Sequence, residues 1–250
     1  MGTRLSTTYN EALGEAENFE DALDTLSNIT ESLGYTQVLY AYQPYPPRLP
    51  DGDWLPLKLN VRNFPSGWER EWESFGSFDP YYRACFESTL PIDWADIQSR
   101  EQLHPLESQA WRYLADMGLA SGCTTPVHLP GGKFAVVSAI LDSSTRDWNI
   151  LFDNTRETLF QLTHLFHETV SKKGFKNQVK TGLRARLSPR EQECLRWSAV
   201  GKTSPEIAVI IDRSVETVRL HLKNANRKLG ASNRAHAIAK AMQLGLMQPN

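Results

Sequence analysis

The 250-residue chain is poor in several features that would otherwise narrow its chemistry. It has three cysteines, Cys85, Cys123 and Cys194, an odd number at wide spacing. That excludes a disulfide framework and predicts reduced, buried thiols in a cytoplasmic protein. No apolar run approaches the ~18 residues of a membrane span, and no apolar signal region opens the chain, so no membrane partner is expected. Met1-Gly2 with Ser6 matches a myristoylation pattern only formally. There is no glycine-rich phosphate loop; Gly131-Gly132 reads as hairpin turn chemistry. His164 and His167 have no carboxylate or thiolate cluster at ligand spacing, so neither a metal nor another cofactor is expected. Cys123 and His128 could be imagined as nucleophile and base, but alternation along a strand sends them to opposite faces, and no catalytic residue is assigned.

Net charge is also scarce, at −2, but this is an average over two unlike halves. From Leu183 onward there are 12 Lys+Arg against 5 Asp+Glu, which leaves 15 basic and 24 acidic residues before it. A basic C-terminal module on an acidic N-terminal one suits nucleic-acid contact confined to one end.

That basic end is punctuated as four helices. Ser188-Pro189-Arg190-Glu191 is a capping box with proline at the first helical position, and Cys194, Leu195, Ser198 and Ala199 follow at helical spacing before Gly201. Thr203-Ser204-Pro205-Glu206 repeats the signal for a short helix burying Ile207, Ala208 and Ile211, with a turn at Asp212-Arg213. Ser214 caps a third helix whose buried stripe is Val215, Val218, Leu222, Ala225 and Leu229. Its outward stripe is Glu216, Arg219, Leu220, Lys223 and Arg227. Ser232 is read as the cap of a fourth helix carrying Ala235, Ile238, Ala239 and Met242, ended by Gly245. A short helix, a tight turn and a longer helix with a basic outer face are the parts of a helix-turn-helix.

The run from Leu187 to Leu246 resembles the DNA-binding domain of the LuxR/GerE family of bacterial transcription factors. The resemblance implies that Arg219, Leu220 and Lys223 meet base edges of double-stranded DNA, with Glu216 on the same face. Basic side chains suit guanine O6 and N7, and Leu220 a thymine methyl. Lys202, Thr203, Thr217, His221 and Asn226 suit phosphate, which positions without specifying sequence.

In the N-terminal half, apolar residues from Leu13 to Leu33 recur at helical spacing over 9–33, and Gly34 ends the pattern. Gln37–Tyr42 and Leu57–Val61 read as strands about a loop, 43–56, with five prolines. Helices are expected at 66–75, 80–87 and 106–117, strands at 123–129 and 134–141 around a hairpin, and a long amphipathic helix over Asp147–Ser171. The fold class expected is α+β: an N-terminal α/β/α sandwich with an antiparallel sheet, plus an all-α four-helix helix-turn-helix domain. The expected division is residues 1–170, a polar, lysine-rich linker over 171–186, and 187–250.

Ten aromatic residues fall between Trp54 and Trp94, and Phe64, Trp68, Trp72 and Phe75 share one side of a helix and its entry. That stripe is either an aromatic core or a ligand wall. Asp79, immediately after it, is a carboxylate among large apolar groups and needs a donor. The segments NFPSGWEREW, DP, LPIDW and GLASGCTTPVHLPGGKFAVVS resemble the acyl-homoserine-lactone-binding domain of the quorum-sensing branch of the LuxR family. The resemblance implies that Trp68 donates to a lactone carbonyl and Asp79 accepts the ligand's amide N–H. Trp94 and Trp72 would wall the ring and acyl chain, with Phe64 and Tyr81 beside them, and Ser138 or Thr124 would reach the amide or a 3-substituent. Phe64 and Trp72 stand where the family usually has tyrosine, and Trp68 and Asp79 are about two residues closer than usual. These departures point to a different acyl chain, an aryl substituent or a non-lactone signal.

The function expected is a ligand-responsive, homodimeric transcription regulator that binds a small-molecule autoinducer and a dyad-symmetric DNA site. RNA polymerase is left open as a further partner. Two other classes compete. A response regulator would need an acidic pair, a phosphoacceptor aspartate and a later lysine in an order the first 130 residues lack. A catalytic N-terminal domain would convert the lactone rather than sense it.

Overall fold

Asn18 divides what the apolar spacing reads as one helix. Helix α1 runs Gly2–Glu15 and α2 runs Phe19–Ser32, because the Asn18 side chain, in extended backbone, accepts from Asp21 N and caps a new start. The expected residues are still buried, Leu13 in α1, Ala16 just past its end, and Phe19, Leu23, Leu26 and Ile29 in α2. The computed structural model describes residues 2–44, 57–99, 104–142, 147–179, 187–244 and 246–247. Most of the proline-rich stretch expected as a loop therefore lies outside the described residues.

Five strands form one sheet in the order β2-β1-β5-β4-β3. They are β1 (Gln37–Gln43), β2 (Leu59–Arg62), β3 (Ile92–Asp93), β4 (Ser121–Leu129) and β5 (Lys133–Leu141). The pairs β1–β2, β1–β5 and β3–β4 are antiparallel, and β4 and β5 are neighbours joined by the three residues Pro130–Gly132. Strand alternation sorts the side chains by face. Val38, Tyr40, Tyr42, Ala135 and Val137 pack with α2 and with α7 (Trp148–Lys172). Leu39, Ala41, Phe134, Val136 and Ile140 pack the opposite way, against α3 (Trp68–Phe75), α4 (Pro80–Ala84), α5 (Trp94–Gln98) and α6 (Pro105–Asp116). Helices on both faces make the expected α/β/α sandwich. The sequence reading missed β3 and α5, which are two and five residues long and too short to show a period.

The polar stretch from Ser171, expected to be linker, is structural in its first half. Phe175 and Val179 are buried in the α2–α7 core, and Gln178 Oε1 accepts from Phe19 N at 2.8 Å. Two apolar residues four apart were too sparse a signal beside so many lysines.

The second unit holds α8 (Pro189–Ala199), α9 (Ser204–Ile210), α10 (Val215–Leu229) and α11 (Arg234–Gln243). Its core is Cys194, Leu195, Ile207, Val218, Leu222, Ala225, Ala237 and Ala241. The capping boxes at Ser188 and Thr203 and the Ser214 cap form as expected. Two details differ. Asn233, not Ser232, caps α11 by accepting from His236 N; the buried positions are Ala237 and Ala241, the expected Ile238 packs against them partly buried, and Ala235, Ala239 and Met242 are exposed. Ala199, expected inside, is exposed at the end of α8.

Candidate functional site

On the α3–α6 side of the sheet the large side chains do not quite close. They surround a cavity of about 30 Å³, lined by Leu39, Leu57, Leu59, Phe64, Trp68, Trp72, Asp79, Tyr81, Tyr82, Trp94, Leu114, Thr124, Val136, Ser138 and Ile140. All eight residues singled out for a ligand from the sequence are in this set. The aliphatic members were missed; alternate positions on β1 and β5 were the signal for Leu39, Val136 and Ile140, while Leu57, Leu59 and Leu114 gave none. A wider groove of about 820 Å³ lies between α7 and residues 84–97, but it is open and rimmed by charge, with Glu87, Asp93, Asp96, Arg156 and Glu157 around it. Size does not choose between them; chemistry does.

Asp79 caps α4, its Oδ1 accepting from Tyr81 N at 2.9 Å and Tyr82 N at 3.2 Å. The residue keeps some accessible surface, but its carboxyl group is enclosed. Burial pushes its pKa from 3.8 up to about 6, against the pull of the two backbone donors, and nearby Glu107 adds a smaller push. Both backbone bonds end on Oδ1, so Oδ2 is the oxygen that could take a donor from the cavity.

Tyr81 follows on α4, its ring stacked on Trp94 at 4.1 Å and its hydroxyl accepting from Gln98 Nε2 at 2.8 Å. Burial raises its pKa. Trp94 lies over Gly122, where a Cβ would sit 3.0 Å from the indole, so glycine is needed there for close approach. The Trp94 indole donates to Thr124 Oγ1 at 2.8 Å, and Thr124 Oγ1 pairs with Ser138 Oγ at 2.7 Å. Three donors (one indole N–H and two hydroxyls) supply only two bonds in this chain. One hydroxyl hydrogen, on Thr124 or Ser138, is left for something else.

Trp68 starts α3 after Gly67, whose φ of 84° few other residues adopt. Its carbonyl accepts from the Tyr113 hydroxyl at 2.6 Å, and Phe64 and Trp72 flank its ring at 4.8 and 6.2 Å. Its indole N–H donates to no described residue. The cavity therefore presents a carboxylate, an unspent hydroxyl and an unspent indole among apolar walls.

In the second unit Arg219, Lys223 and Glu216 are exposed on one side of α10, with Leu220 55 % exposed between the two cations. Neither Arg219 nor Lys223 forms an ion pair with any described residue. Thr217 Oγ1 lies 2.9 Å from the Ser214 hydroxyl at the cap, and Thr203 Oγ1 donates to Glu206 at 2.7 Å. The Lys202 ammonium lies 3.5 Å from Glu206, so these two expected phosphate residues share an acidic neighbour. His221 is half-buried, and the enclosed Asn226 Oδ1 has no partner. Asp212 holds φ of 52°, the left-handed joint that turns α9 into α10.

The competing chemistry is not assembled. Cys123 packs with Tyr35, Ala139 and Leu159, its thiol pushed up to about 12 by burial, while His128 Nε2 engages Ser88 O at 2.9 Å. Among the described residues no group of three His, Cys, Asp or Glu could hold a metal, and no helix is long and apolar enough to cross a membrane.

Comparison with known proteins identifies a family for each of the two units. The family model for an autoinducer binding domain matches residues 18–170, and that for bacterial regulatory proteins of the luxR family matches 185–241. The chain is 30 % identical over 243 residues to the transcriptional activator protein VanR of Vibrio anguillarum, covering 96 % of this chain and 95 % of VanR. It is 33 % identical over 189 residues to the quorum sensing-dependent transcriptional regulator RpaR of Rhodopseudomonas palustris, covering 73 % and 74 %. The crystal structure of Escherichia coli SdiA has the same fold, with a TM-score of 0.68 at 23 % identity over 98 % of this chain and 99 % of SdiA.

Proposed function

The chain belongs to the luxR family of bacterial regulatory proteins and carries its autoinducer-binding domain, and from that premise we propose that it reads an N-acyl or aryl homoserine lactone and answers at a dyad-symmetric DNA site as a homodimer. The observation that carries the ligand half is the cavity's polar set. The Asp79 carboxylate is an acceptor for an amide N–H, the Trp68 indole a donor for a lactone carbonyl, and the unspent hydroxyl of the Thr124–Ser138 pair a donor for the acyl carbonyl or a 3-substituent. The aromatic and leucine walls suit the remaining apolar body. A cavity of about 30 Å³ is near the volume of one water molecule, so Phe64, Trp68 and their neighbours must part to admit such a ligand. Binding then completes the core, and at a hundredfold excess over Kd stabilises the fold by roughly 2.7 kcal/mol.

The exposed Arg219–Leu220–Lys223 face supports the DNA half, with Arg219 and Lys223 on guanine edges, Leu220 on a thymine methyl and Glu216 beside them. Lys202, Thr203, Thr217, His221 and Asn226 supply the phosphate contacts. The exposed α11 stripe of Ala235, Ala239 and Met242 supports pairing with a second copy, which would set two recognition helices about one DNA turn apart. The protein acts in the cytoplasm as a regulator, not an enzyme, with RNA polymerase as a downstream partner. A non-lactone signal is the second reading, favoured by Phe64 and Trp72, which offer the cavity no hydroxyl.

Two measurements test this. A thermal-shift screen across acyl and aryl homoserine lactones should raise Tm for the wild type, and at the same ligand concentration the shift should be clearly smaller in Trp68→Phe and Asp79→Asn. In a gel shift on a dyad-symmetric site, Lys223→Ala should lose specific binding; retained sequence-specific binding by that variant would overturn the DNA assignment.

A further inference from the structure

Gln43 ends β1 and is 2 % exposed, yet its Nε2 is enclosed without a hydrogen-bond partner. Buried amides are nearly always satisfied, so this one calls for an explanation. Alternation along β1 puts Gln43 on the same face as Leu39 and Ala41, the face that floors the cavity. In the β1–β5 register Leu39 stands opposite Ser138, Ala41 opposite Val136 and Gln43 opposite Phe134. The orphaned amide therefore lies four residues along the sheet from the Ser138 hydroxyl, about 13 Å at the usual strand rise. Small Ala41 lies between them. Tyr82 spans the same interval, since it lines the cavity and its ring is 6.0 Å from that of Phe134.

The sheet face that floors the cavity thus carries the Ser138 hydroxyl at one end, an apolar stretch, and, past the cavity's present lining, a second polar group at Gln43. We propose that Gln43 is the specificity residue for the far end of the signal, and that the signal's acyl or aryl group ends in a hydroxyl. This rests on the ligand reading above, with the head of the ligand at Trp68, Asp79 and Ser138. A hydroxyl fits because it both donates and accepts. Whichever way the Gln43 amide is turned, the enclosed end, N–H or C=O, finds its complement. A purely apolar tail reaching the same place would leave that amide unpaired, and sites of this kind discriminate strongly against the analogue lacking the hydroxyl.

The test uses the full chain and two matched pairs of homoserine lactones, decanoyl with ω-hydroxydecanoyl, and phenylpropanoyl with para-hydroxyphenylpropanoyl, titrated by calorimetry. The wild type should bind the hydroxylated member of at least one pair about tenfold or more tightly. Gln43→Leu should erase or invert that preference while binding the apolar partner at least as well. Its unliganded Tm should be unchanged or higher, because an orphaned amide has been removed; Gln43→Met is the substitute if the leucine variant does not fold. A ratio that is the same in wild type and variant, or a wild-type preference for the apolar members, overturns the Gln43 assignment while leaving the lactone reading intact. Failure of all four compounds to bind the wild type overturns the lactone reading and this assignment with it.

Discussion

The two faces of the sheet are made from alternate residues of the same strands, yet they do different work. Toward α2 and α7 the packing is closed: Phe166 is fully buried with its ring 4.9 Å from Tyr40, whose hydroxyl lies 2.9 Å from His167 Nδ1. Toward α3–α6 the packing is bulky and aromatic but incomplete, and it leaves an enclosed carboxylate, an indole N–H and the Gln43 amide with hydrogen-bonding capacity in hand. One face spends most of its polar groups on the fold, the buried Thr163 hydroxyl of α7 excepted. The other leaves several unspent.

The sharpest way to break this contrast is to damage each face in turn. Phe166→Ala should cost about 3–5 kcal/mol in urea unfolding, and no lactone should recover it by more than its ordinary stabilisation of the wild type. A smaller effect is expected from Trp68→Phe, which keeps the ring but removes the donor. Lactone affinity measured by calorimetry should fall about tenfold or more, while the unliganded unfolding midpoint stays close to wild type.

Acidity separates the faces next. An amide N–H is best accepted by ionised Asp79, so affinity should be level above pH 7 and fall about tenfold per unit below about 6. Asp79→Asn should bind weakly with no such slope.

The smallest effect is on the unliganded fold. The raised Asp79 pKa means the folded state holds its proton more firmly than the unfolded chain, so stability falls as pH rises from 3.8 to about 6. Burial lowers the His167 pKa from 6.5 to about 4, so the unfolded chain takes that proton first and stability falls as pH drops across this range. The slopes oppose each other. Wild-type urea midpoints should change little between pH 4 and 6.5, whereas Asp79→Asn should become acid-labile. An equally flat profile in Asp79→Asn would contradict this pairing.

Legibility in the sequence followed the strength of the local signal. The Ser188 and Thr203 capping boxes, the Ser214 cap and the α10 stripes could be read directly, because proline, hydroxyl caps and helical periodicity act within one or two turns. The eight expected cavity residues came from aromatic density and a family resemblance, and the chain folds them together. What stayed hidden depends on tertiary contact. Asn18 interrupts an apolar period that continues across the break, and Asn233 competes with Ser232 for one cap. Phe175 and Val179 are buried only because α2 is there to receive them. The Gln43 amide is a polar end to a strand in sequence, and becomes an orphan only when Phe134 and its neighbours enclose it.

One of the sheet's two rims limits how copies of this protein can assemble. There β2 is four residues long and ends in Arg62, clasped by Glu20 and Asp24 of α2. At the other, β3 covers β4 with two residues. A short, charged border such as that of β2 offers little open backbone for another strand to zip onto. At that rim continuous sheets across subunits, and the runaway fibres they seed, are disfavoured.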